Sequence, residues 1–531
     1  MTTVTTDSGG SSRRVYSQRF LLVSVSVVFL ISCVWVSYKK PFWLDELNCF
    51  YLAQDPSFGH MIHALAGGAD VVPPPYYVSL WTWARVGGVS EVSLRLHSWL
   101  WLSVAFALIW GVLRRRYGYW PASAGCLAAF CLSRLVLYQN TEARFYGFFL
   151  AVVAFGIWVY DRVYESNRLR LGQMTLIALA NALLILSHIY GGFYSGAILL
   201  AWMLADFWQC RWRPGAYASV VIGWLAFLPW LPIFRHQAAI FGYESWIPVP
   251  SINDLLDSFT HKVNLPLALI LIIGFALLTR RRSTIESPRP ESPPQEALFV
   301  LAVILIVFVP IVGWIFSRLV KSVFWDRYMI PSTLGWAIVL TFVSERVGLG
   351  PDYSTAPSPR TLGLPLLLAT FLAFPILYAW AHPTEPRPTA ERLPAALAGL
   401  PVVLDTPHAF LPRVHYLGTN SNYYFILDWE AATDPKSQRG ASVNYKIIDL
   451  LHEYYSLPNA VSTQDFLSRY PRFLYFDQYV SAWFDLRVRR SGRYKLTHIP
   501  RNTPGLFLAD DGSIDVWLAE RLAPALTDSR S

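Results

Sequence analysis

The feature that most constrains this chain is a series of apolar segments that recurs through its first two-thirds. A helix needs about 20 apolar residues to cross the hydrocarbon core of a bilayer. About eleven segments approach or reach that length, so we predict an α-helical polytopic membrane protein. The predicted spans are residues 20–38, 91–113, 119–139, 145–163, 171–188, 192–209, 215–234, 263–279, 297–317, 328–344 and 361–380.

The overall composition agrees with a membrane protein. Of the 531 residues, 54% are hydrophobic and only 15% are charged, whereas soluble domains carry about 25% charged residues. These values argue against a compact soluble fold of this length and exclude a disordered chain. The five cysteines all precede Arg211, so a disulfide framework in the C-terminal region is excluded as well.

Arginine clusters predict the orientation of the spans. Lys and Arg are enriched in short cytoplasmic loops, and every second loop of this chain is basic. We therefore predict a cytoplasmic N-terminus in the plasma membrane. The predicted outer segments are residues 39–90, 140–144, 189–191, 235–262, 318–327 and the C-terminal region. The predicted inner cations are Arg13, Arg14 and Arg19; Arg114, Arg115 and Arg116; Arg162, Arg168 and Arg170; Arg211 and Arg213; and Arg280, Arg281 and Arg282.

The chain is predicted to have four parts. They are a cytoplasmic N-terminal tail (1–19), a transmembrane domain (20–380) with its first outer loop at 39–90, a linker (381–394) and an extracytoplasmic α/β domain (395–531). Pro- and Ser-rich stretches at 280–296 and 347–360 are predicted to be cytoplasmic connections. In the last part, strand-like stretches alternate with helix-like ones, which predicts a mainly parallel sheet. The predicted strands are 402–404, 424–427, 473–476 and 506–508, and the predicted helices are 443–456 and 463–470.

The first outer loop is predicted to be a structured segment. Apolar residues follow Asp45 and Ser57 with helical spacing, which predicts two short amphipathic helices at the membrane surface. The prolines at 73–75 predict an extended stretch, and the aromatic segment 74–88 is expected in the membrane interface. The carboxylates of Asp45 and Glu46 begin the first helix. They are either N-terminal capping residues or a general base near the lipid headgroups.

Three further corners carry candidate residues, each with a structural alternative. Glu142, Arg144 and Tyr146 form the first, where an interfacial ion pair is the alternative. His188 and Tyr190 form the second, where the histidine can be a hydrogen-bonded structural residue. The third contains Lys321, Arg327 and Tyr328, where snorkelling of basic residues is the alternative, although outer loops are expected to hold few cations.

In the predicted topology, all these residues lie at the outer membrane surface. Carboxylates and cations at headgroup depth suit a substrate with a phosphate at the interface and an apolar tail in the lipid. A polyprenyl-phosphate sugar is such a molecule. The same segments resemble the GT-C glycosyltransferases, which include polyprenyl- and dolichyl-phosphate-mannose-dependent mannosyltransferases and bacterial lipid A aminoarabinose transferases. The motifs are WLDEL at 43–47, DVVPPPYY at 70–77, SEVSLRLHS at 90–98, TEARFY at 141–146, SHIYG at 187–191 and RYMIP at 327–331.

The resemblance implies a set of site residues. It implies that Asp45 is the catalytic base and Glu46 its partner, and that the other three corners bind the donor phosphate or sugar. These binding residues are Glu142, Arg144, Tyr146, His188, Tyr190, Arg327 and Tyr328. The positive charge of Lys321 in an outer loop adds it to the predicted phosphate-binding residues independently of the resemblance. Two departures stand out: Val72 occupies a place where the family often has histidine, and Arg134 a place where proline commonly follows Ser133.

We therefore expect a glycosyltransferase that moves a sugar with inversion from a polyprenyl-phosphate donor to an extracytoplasmic glycan, lipid or protein. No nucleic acid partner is expected. No metal is required in principle, because the phosphate already leaves well, and His60 and His63 are interpreted as the exposed face of a surface helix. The first alternative is a transporter or flippase of lipid-linked glycans, although such proteins place ionisable residues near the membrane midplane. The second alternative is a non-catalytic scaffold that binds a partner through its C-terminal domain.

Overall fold

The computed structural model describes residues 8–242, 245–260, 263–278, 296–349, 359–418, 421–478, 480–508 and 514–522. The chain divides into two compact units. The helical unit comprises residues 1–39, 72–231 and 249–383. The α/β unit comprises residues 40–71, 232–248 and 384–531.

Helices dominate the chain as far as residue 381. In chain order they are α1 (Ser8–Lys39), α2 (Leu44–Gln54), α3 (Phe58–Gly67), α4 (Pro74–Gly87), α5 (Glu91–Tyr117), α6 (Tyr119–Cys131), α7 (Arg134–Gln139), α8 (Tyr146–Val163), α9 (Leu171–Ser187), α10 (Ile189–Trp208), α11 (Pro214–Leu225), α12 (Leu231–Ile240), α13 (Ile252–Thr260), α14 (Leu265–Leu278), α15 (Glu296–Val303), α16 (Val309–Leu319), α17 (Ser332–Arg346) and α18 (Pro359–Ala381). A π-helical turn at Ile304–Phe308 makes α15 and α16 continuous.

Each predicted span overlaps one helix or two consecutive ones. Within the described residues, five helices are long and apolar enough to cross a membrane: Arg19–Lys39, Glu91–Tyr117, Tyr146–Val163, Glu296–Leu319 and Gly363–Ala381. Three shorter apolar helices are Leu171–Ser187, Pro214–Leu225 and Leu265–Leu278. The polytopic helical fold is thus confirmed, and the count of eleven spans stays a prediction.

Two local predictions about the backbone were wrong. The predicted span 119–139 is broken after α6, because the Ser133 side chain caps α7 by accepting a hydrogen bond from the Val136 amide at 3.2 Å. The predicted extended stretch is limited to Pro73, since Pro74 and Pro75 begin α4. Proline is favoured at the first position of a helix because the amide hydrogen that it lacks would have no partner there.

Ion pairs hold several of the predicted cytoplasmic arginines at helix ends of the helical unit. The Arg116 guanidinium contacts the Asp161 carboxylate at 2.6 Å, and both side chains are buried. Arg213 contacts Asp206 in the same manner at 2.7 Å. Arg116 of α5 thus contacts α8, and Arg213, which precedes α11, contacts α10 through buried ion pairs. Arg280, Arg281 and Arg282 lie outside the described residues, as does most of the predicted connections 280–296 and 347–360.

The C-terminal part of the α/β unit contains a six-stranded sheet with the order β3-β2-β1-β4-β6-β5. The first four strands in that order pair in parallel. Strand β6 is antiparallel to both of its neighbours, β4 and β5. The strands are β1 (Val402–Leu404), β2 (Tyr423–Leu427), β3 (Ala460–Ser462), β4 (Arg472–Asp477), β5 (Tyr494–Ile499) and β6 (Asp515–Arg521). The helices are α19 (Pro407–Leu417), α20 (Trp429–Ala432), α21 (Ala441–Tyr455) and α22 (Thr463–Arg469). The predicted small α/β fold is confirmed.

Three of the four predicted strands are confirmed: 402–404, 424–427 and 473–476 correspond to β1, β2 and β4. The predicted strand 506–508 is wrong: Phe507 is exposed and makes an isolated bridge to Arg392. Strands β3, β5 and β6 were not predicted: β3 has only three residues, and β5 has no fully buried residue. Ser462 caps α22, since its side chain accepts a hydrogen bond from the Asp465 amide at 3.1 Å.

Candidate active site

The predicted carboxylate pair lies in the first turn of α2, within the α/β unit. Trp43 is the residue at the cap position, with extended backbone angles and no capping hydrogen bond from its side chain. The interpretation of Asp45 or Glu46 as the N-cap is therefore wrong. Glu46 has 0% exposure, whereas Asp45 is half-buried. Two neighbouring carboxylates thus have different environments, and the more accessible one is the predicted base.

The predicted surface helix α3 is capped by Ser57, whose side chain accepts a hydrogen bond from the His60 amide at 3.3 Å. His60 and His63 are exposed, as predicted, but both rings also contact Tyr454 of α21, with centroids 6.2 and 5.5 Å away. Among the described residues, no three His, Cys, Asp or Glu side chains are grouped so that they could hold a metal ion.

In the helical unit, the corner between α7 and α8 carries Glu142 and Arg144, and both are buried. Its backbone is fixed by Ser98 of α5, whose hydroxyl donates to the Glu142 carbonyl at 2.6 Å and lies 3.2 Å from the Arg144 carbonyl. The Arg144 guanidinium lies 5.4 Å from the centre of the Phe145 ring. The corner is therefore a rigid turn held by a neighbouring helix.

His188 lies at the break between α9 and α10 and caps α10. Its Nδ1 accepts a hydrogen bond from the Tyr190 amide at 3.2 Å. A neutral imidazole that accepts through Nδ1 carries its hydrogen on Nε2. The structural alternative for His188, a hydrogen-bonded residue at a helix end, is therefore correct for Nδ1, and the imidazole carries its hydrogen on Nε2.

Five rings from three corners, His188 among them, form one cluster that we name the aromatic box. They are Phe145, Tyr146, His188, Tyr190 and Tyr328. The imidazole of His188 stacks on Phe145 at 4.8 Å and meets Tyr328 at 4.7 Å. The Tyr190 hydroxyl donates to the Val323 carbonyl at 3.1 Å, which ties the box to the chain before Tyr328.

Arg327 brings a positive charge to the aromatic box. Its guanidinium lies 5.7 Å from the centre of the Tyr146 ring, a distance at which a cation is attracted to an aromatic face. Lys321 is exposed on the segment between α16 and the turn that contains Arg327. The structure thus brings together Tyr146, His188, Tyr190, Arg327 and Tyr328, which come from three predicted corners.

Two contributors to these sites were missed from the sequence. Phe145, between the predicted residues Arg144 and Tyr146, supplies the ring that stacks on His188. His408 of α19 lies beside Trp43, with the two rings nearly parallel at 10° and their centroids 6.3 Å apart. The seven-residue spacing of His408 and His415, which places both on one helical face, was the available signal, but α19 was not predicted.

Comparison with known proteins bears on the fold and on part of this site. The sequence profile of the family described as "Dolichyl-phosphate-mannose-protein mannosyltransferase" matches residues 71–233. The crystal structure of ArnT from Cupriavidus metallidurans bound to undecaprenyl phosphate covers 94% of this chain and 97% of its own, with a TM-score of 0.52 and 14% identity. The chain has the GT-C fold of membrane glycosyltransferases. The apo structure of the same ArnT agrees, with 95% and 98% coverage, a TM-score of 0.53 and 13% identity.

The GT-C fold and the family match together indicate a multi-pass membrane glycosyltransferase that uses a lipid-linked sugar. The predicted superfamily and fold class are confirmed. The matched range contains the corners of Glu142 and His188 but not Asp45 or Arg327. No curated protein sequence matches the chain significantly.

Proposed function

We propose that this GT-C protein transfers a sugar from a polyprenyl-phosphate donor to an acceptor outside the cytoplasm, with inversion at the anomeric carbon. The observation that carries the proposal is the aromatic box with Arg327 beside it. A cation and the directed Nε2 hydrogen of His188 provide donors for a phosphate, and tyrosine rings provide faces for a sugar. The ArnT structure with undecaprenyl phosphate supports the choice of donor.

In the proposed reaction, the acceptor hydroxyl oxygen attacks the anomeric carbon on the face opposite the phosphate. The new carbon–oxygen bond forms as the bond to the phosphate oxygen breaks, and both electrons of that bond leave with polyprenyl phosphate. Asp45 takes the proton of the attacking hydroxyl. General base catalysis of this kind contributes about 10²- to 10⁴-fold to the rate.

The charges that develop in this reaction require partners of opposite sign. Arg327 and His188 stabilise the negative charge that grows on the phosphate, and Arg144 and Lys321 add to the positive field. Glu46 acts by electrostatics on the positive charge that develops at the sugar ring. Because Glu46 is fully buried in the first turn of α2, it also holds that turn in place for Asp45.

We place the reaction at the outer face of the plasma membrane, with the N-terminus in the cytoplasm, because of the alternation of arginine-rich loops. The acceptor is a glycan, a lipid or a protein, and the transferred sugar is a hexose or a pentose. The leaving phosphate needs no Lewis acid, so we expect turnover to continue after removal of divalent cations with EDTA.

The decisive experiment uses the purified protein in lipid vesicles with an undecaprenyl-phosphate sugar and a crude acceptor extract. Release of undecaprenyl phosphate and the mass of the glycosylated product are measured together. Asp45→Asn is expected to lower turnover at least about 100-fold, whereas Glu453→Gln, an exposed carboxylate on α21, serves as the matched control.

Two outcomes would overturn the proposal. Turnover of Asp45→Asn at the wild-type rate would remove Asp45 as the base. Movement of the intact lipid-linked sugar across the vesicle membrane, without release of undecaprenyl phosphate, would favour the flippase alternative. Mass spectrometry of envelope glycans and lipids from a deletion strain then identifies the sugar and the acceptor.

A further inference from the structure

The described residues 320–325, between α16 and the 3₁₀ turn Asp326–Met329, form no helix or strand. This segment carries Lys321, and Arg327 follows it in the turn, so both cations proposed to act on the donor phosphate depend on its position. A segment without the hydrogen-bond pattern of a helix or strand keeps a defined position only where neighbouring elements hold it. The contacts of residues 320–325 therefore decide where the guanidinium of Arg327 lies.

Val323, in the middle of this segment, is held through both its carbonyl and its amide. The carbonyl oxygen accepts a hydrogen bond from the Tyr190 hydroxyl at 3.1 Å. The amide donates to the Ser317 hydroxyl oxygen at 3.0 Å. Tyr190 belongs to the first turn of α10 and Ser317 to the end of α16, and both side chains are buried. We name these three residues the Val323 clamp.

Tyr190 contacts the chain on both sides of Arg327. Its hydroxyl binds Val323, four residues earlier, and its ring lies 5.7 Å from the ring of Tyr328, the next residue. With 0% exposure, Tyr190 offers no accessible surface to a substrate. Its contacts therefore hold the chain around the cation, which is a different role from direct binding of the donor.

The packing of α16 on α10 fixes the Tyr190 hydroxyl. A Cβ at Gly313 of α16 would lie 2.9 Å from that hydroxyl oxygen, so the two helices approach closely at this point. One turn further along each helix the pair is joined again, because the ring of Phe316 meets the edge of Phe193 at 5.7 Å. The hydroxyl that holds Val323 thus has a position set by two packed helices.

We propose that Tyr190 and Ser317 are positioning residues for Arg327: through Val323 they place its guanidinium at the donor phosphate. This inference rests on the proposed function and deepens it. The placement matters because a charge-assisted hydrogen bond to phosphate requires a short and well-aligned contact. Tyr190 and Ser317 act through the segment and take no part in the making or breaking of bonds.

Two substitutions open the Val323 clamp from different helices without removing a charge. Tyr190→Phe removes the donor to the Val323 carbonyl, and Ser317→Ala removes the acceptor of the Val323 amide. Tyr194→Phe is the matched control. Tyr194 lies one turn further along α10 and is equally buried, but its hydroxyl lies 3.3 Å from the hydroxyl of Ser332 in α17.

The test measures equilibrium binding of radiolabelled undecaprenyl phosphate to the purified full-length protein in detergent. Undecaprenol, which lacks the phosphate, is the second ligand. Tyr190→Phe and Ser317→Ala should each weaken binding of undecaprenyl phosphate about 3- to 10-fold, the net effect of one hydrogen bond. Binding of undecaprenol should stay within about twofold, because it has no charge for Arg327 to contact. Tyr194→Phe should bind both ligands within about twofold of the wild type.

A double-mutant cycle separates positioning from a general loss of structure. If Tyr190 acts through Arg327, Tyr190→Phe has little left to change once Arg327→Ala has removed the guanidinium. In that background we expect Tyr190→Phe to alter the affinity for undecaprenyl phosphate by no more than about twofold. Melting temperatures report on folding, and the same cycle with Ser317→Ala carries the test if Tyr190→Phe does not fold.

Three results would overturn the role of the Val323 clamp. They are wild-type affinity for undecaprenyl phosphate in Tyr190→Phe and Ser317→Ala, an equal loss of affinity for undecaprenol, or fully additive losses in the cycle with Arg327→Ala. Weakened binding in Arg327→Ala with unaffected clamp variants defeats only this inference. Wild-type binding in Arg327→Ala removes the phosphate site of the proposed function together with it.

Discussion

The imidazole of His188 stacks on the phenyl ring of Phe145, with centroids 4.8 Å apart and an interplanar angle of 20°. Phe145 precedes α8, and His188 precedes α10, so the stack joins the starts of two helices. The Nδ1 contact to the Tyr190 amide fixes the rotation of the imidazole about its own axis. Stacking and capping together give the Nε2 hydrogen a single direction, which a phosphate ligand requires of its donor.

The double role of His188 leads to a prediction that separates stability from donor binding. Asparagine is among the best N-capping residues, so His188→Asn should keep the cap of α10 but lose the Nε2 donor. We expect a wild-type melting temperature and a loss of about 10-fold or more in kcat/KM for the lipid donor. His188→Ala should lose about 1 kcal/mol of stability in addition. A wild-type kcat/KM for His188→Asn would remove His188 from the phosphate site.

Arg327 should affect donor use through both its charge and its shape. A charge-assisted hydrogen bond contributes about 1.5–3 kcal/mol, so Arg327→Ala is expected to lower kcat/KM for the donor about 10- to 100-fold. Arg327→Lys keeps the charge but not the planar fork, and we expect an intermediate value. Arg168→Ala, an exposed arginine of the helical unit, is the control. If both Arg327 variants keep the kcat/KM of the wild type and of Arg168→Ala, Arg327 does not bind the donor phosphate.

The first turn of α10 packs so closely on the last turn of α9 that only glycine fits at position 191. A Cβ at this position would lie 1.7 Å from the Leu184 carbonyl oxygen, which is backbone and cannot move aside cheaply. Gly191→Ala should therefore destabilise the protein by about 1–3 kcal/mol or more and displace His188. Gly192 has open space around its Cβ position, and Gly192→Ala should be neutral or stabilising by up to about 1 kcal/mol. Thermal unfolding in detergent compares the two, and equal melting temperatures would contradict the prediction.

The sequence predicted those features that depend on local pattern. The length of the apolar segments predicted the helices. The short motifs predicted Tyr146 and His188, which the fold brings together in the aromatic box, and Arg327, which lies beside it. The sequence could not predict that His408 of α19 lies beside Trp43, because these positions are 365 residues apart in the chain. Likewise, β5 was missed because it has no fully buried residue. The contact that makes it a strand is its antiparallel pairing with β6, which the local sequence pattern does not show.

The last prediction concerns Asp405, which follows β1 in the α/β unit. Its carboxylate is buried and accepts hydrogen bonds from the Tyr475 hydroxyl at 2.9 Å and the Val480 amide at 3.2 Å. Burial is the main cause that raises the pKa of Asp405 from 3.8 to about 7, and the nearby charge of Asp477 adds to it. The protonated form is therefore favoured in the folded state well above its usual pH range.

The sign of the pH dependence follows from that shift. A raised folded-state pKa gives a stabilising contribution that is complete below about pH 4 and is lost as the pH rises through about 7. Each pKa unit corresponds to about 1.4 kcal/mol, so the whole difference is at most about 4 kcal/mol. Asp405→Asn cannot ionise and keeps an oxygen acceptor for Tyr475, so its stability relative to the wild type should increase with pH and be clearly greater at pH 8 than at pH 5.

Hydrogen exchange of the full-length protein measures this effect locally. Protection of peptides that cover β1 and β4, corrected for intrinsic exchange rates, should fall from pH 5 to pH 8 in the wild type and fall less in Asp405→Asn. Glu453→Gln, an exposed carboxylate of the same unit, should follow the wild type. Parallel pH profiles for Asp405→Asn and the wild type would show that Asp405 is ionised throughout this range, which its burial among Tyr475 and the β1 and β4 strands argues against.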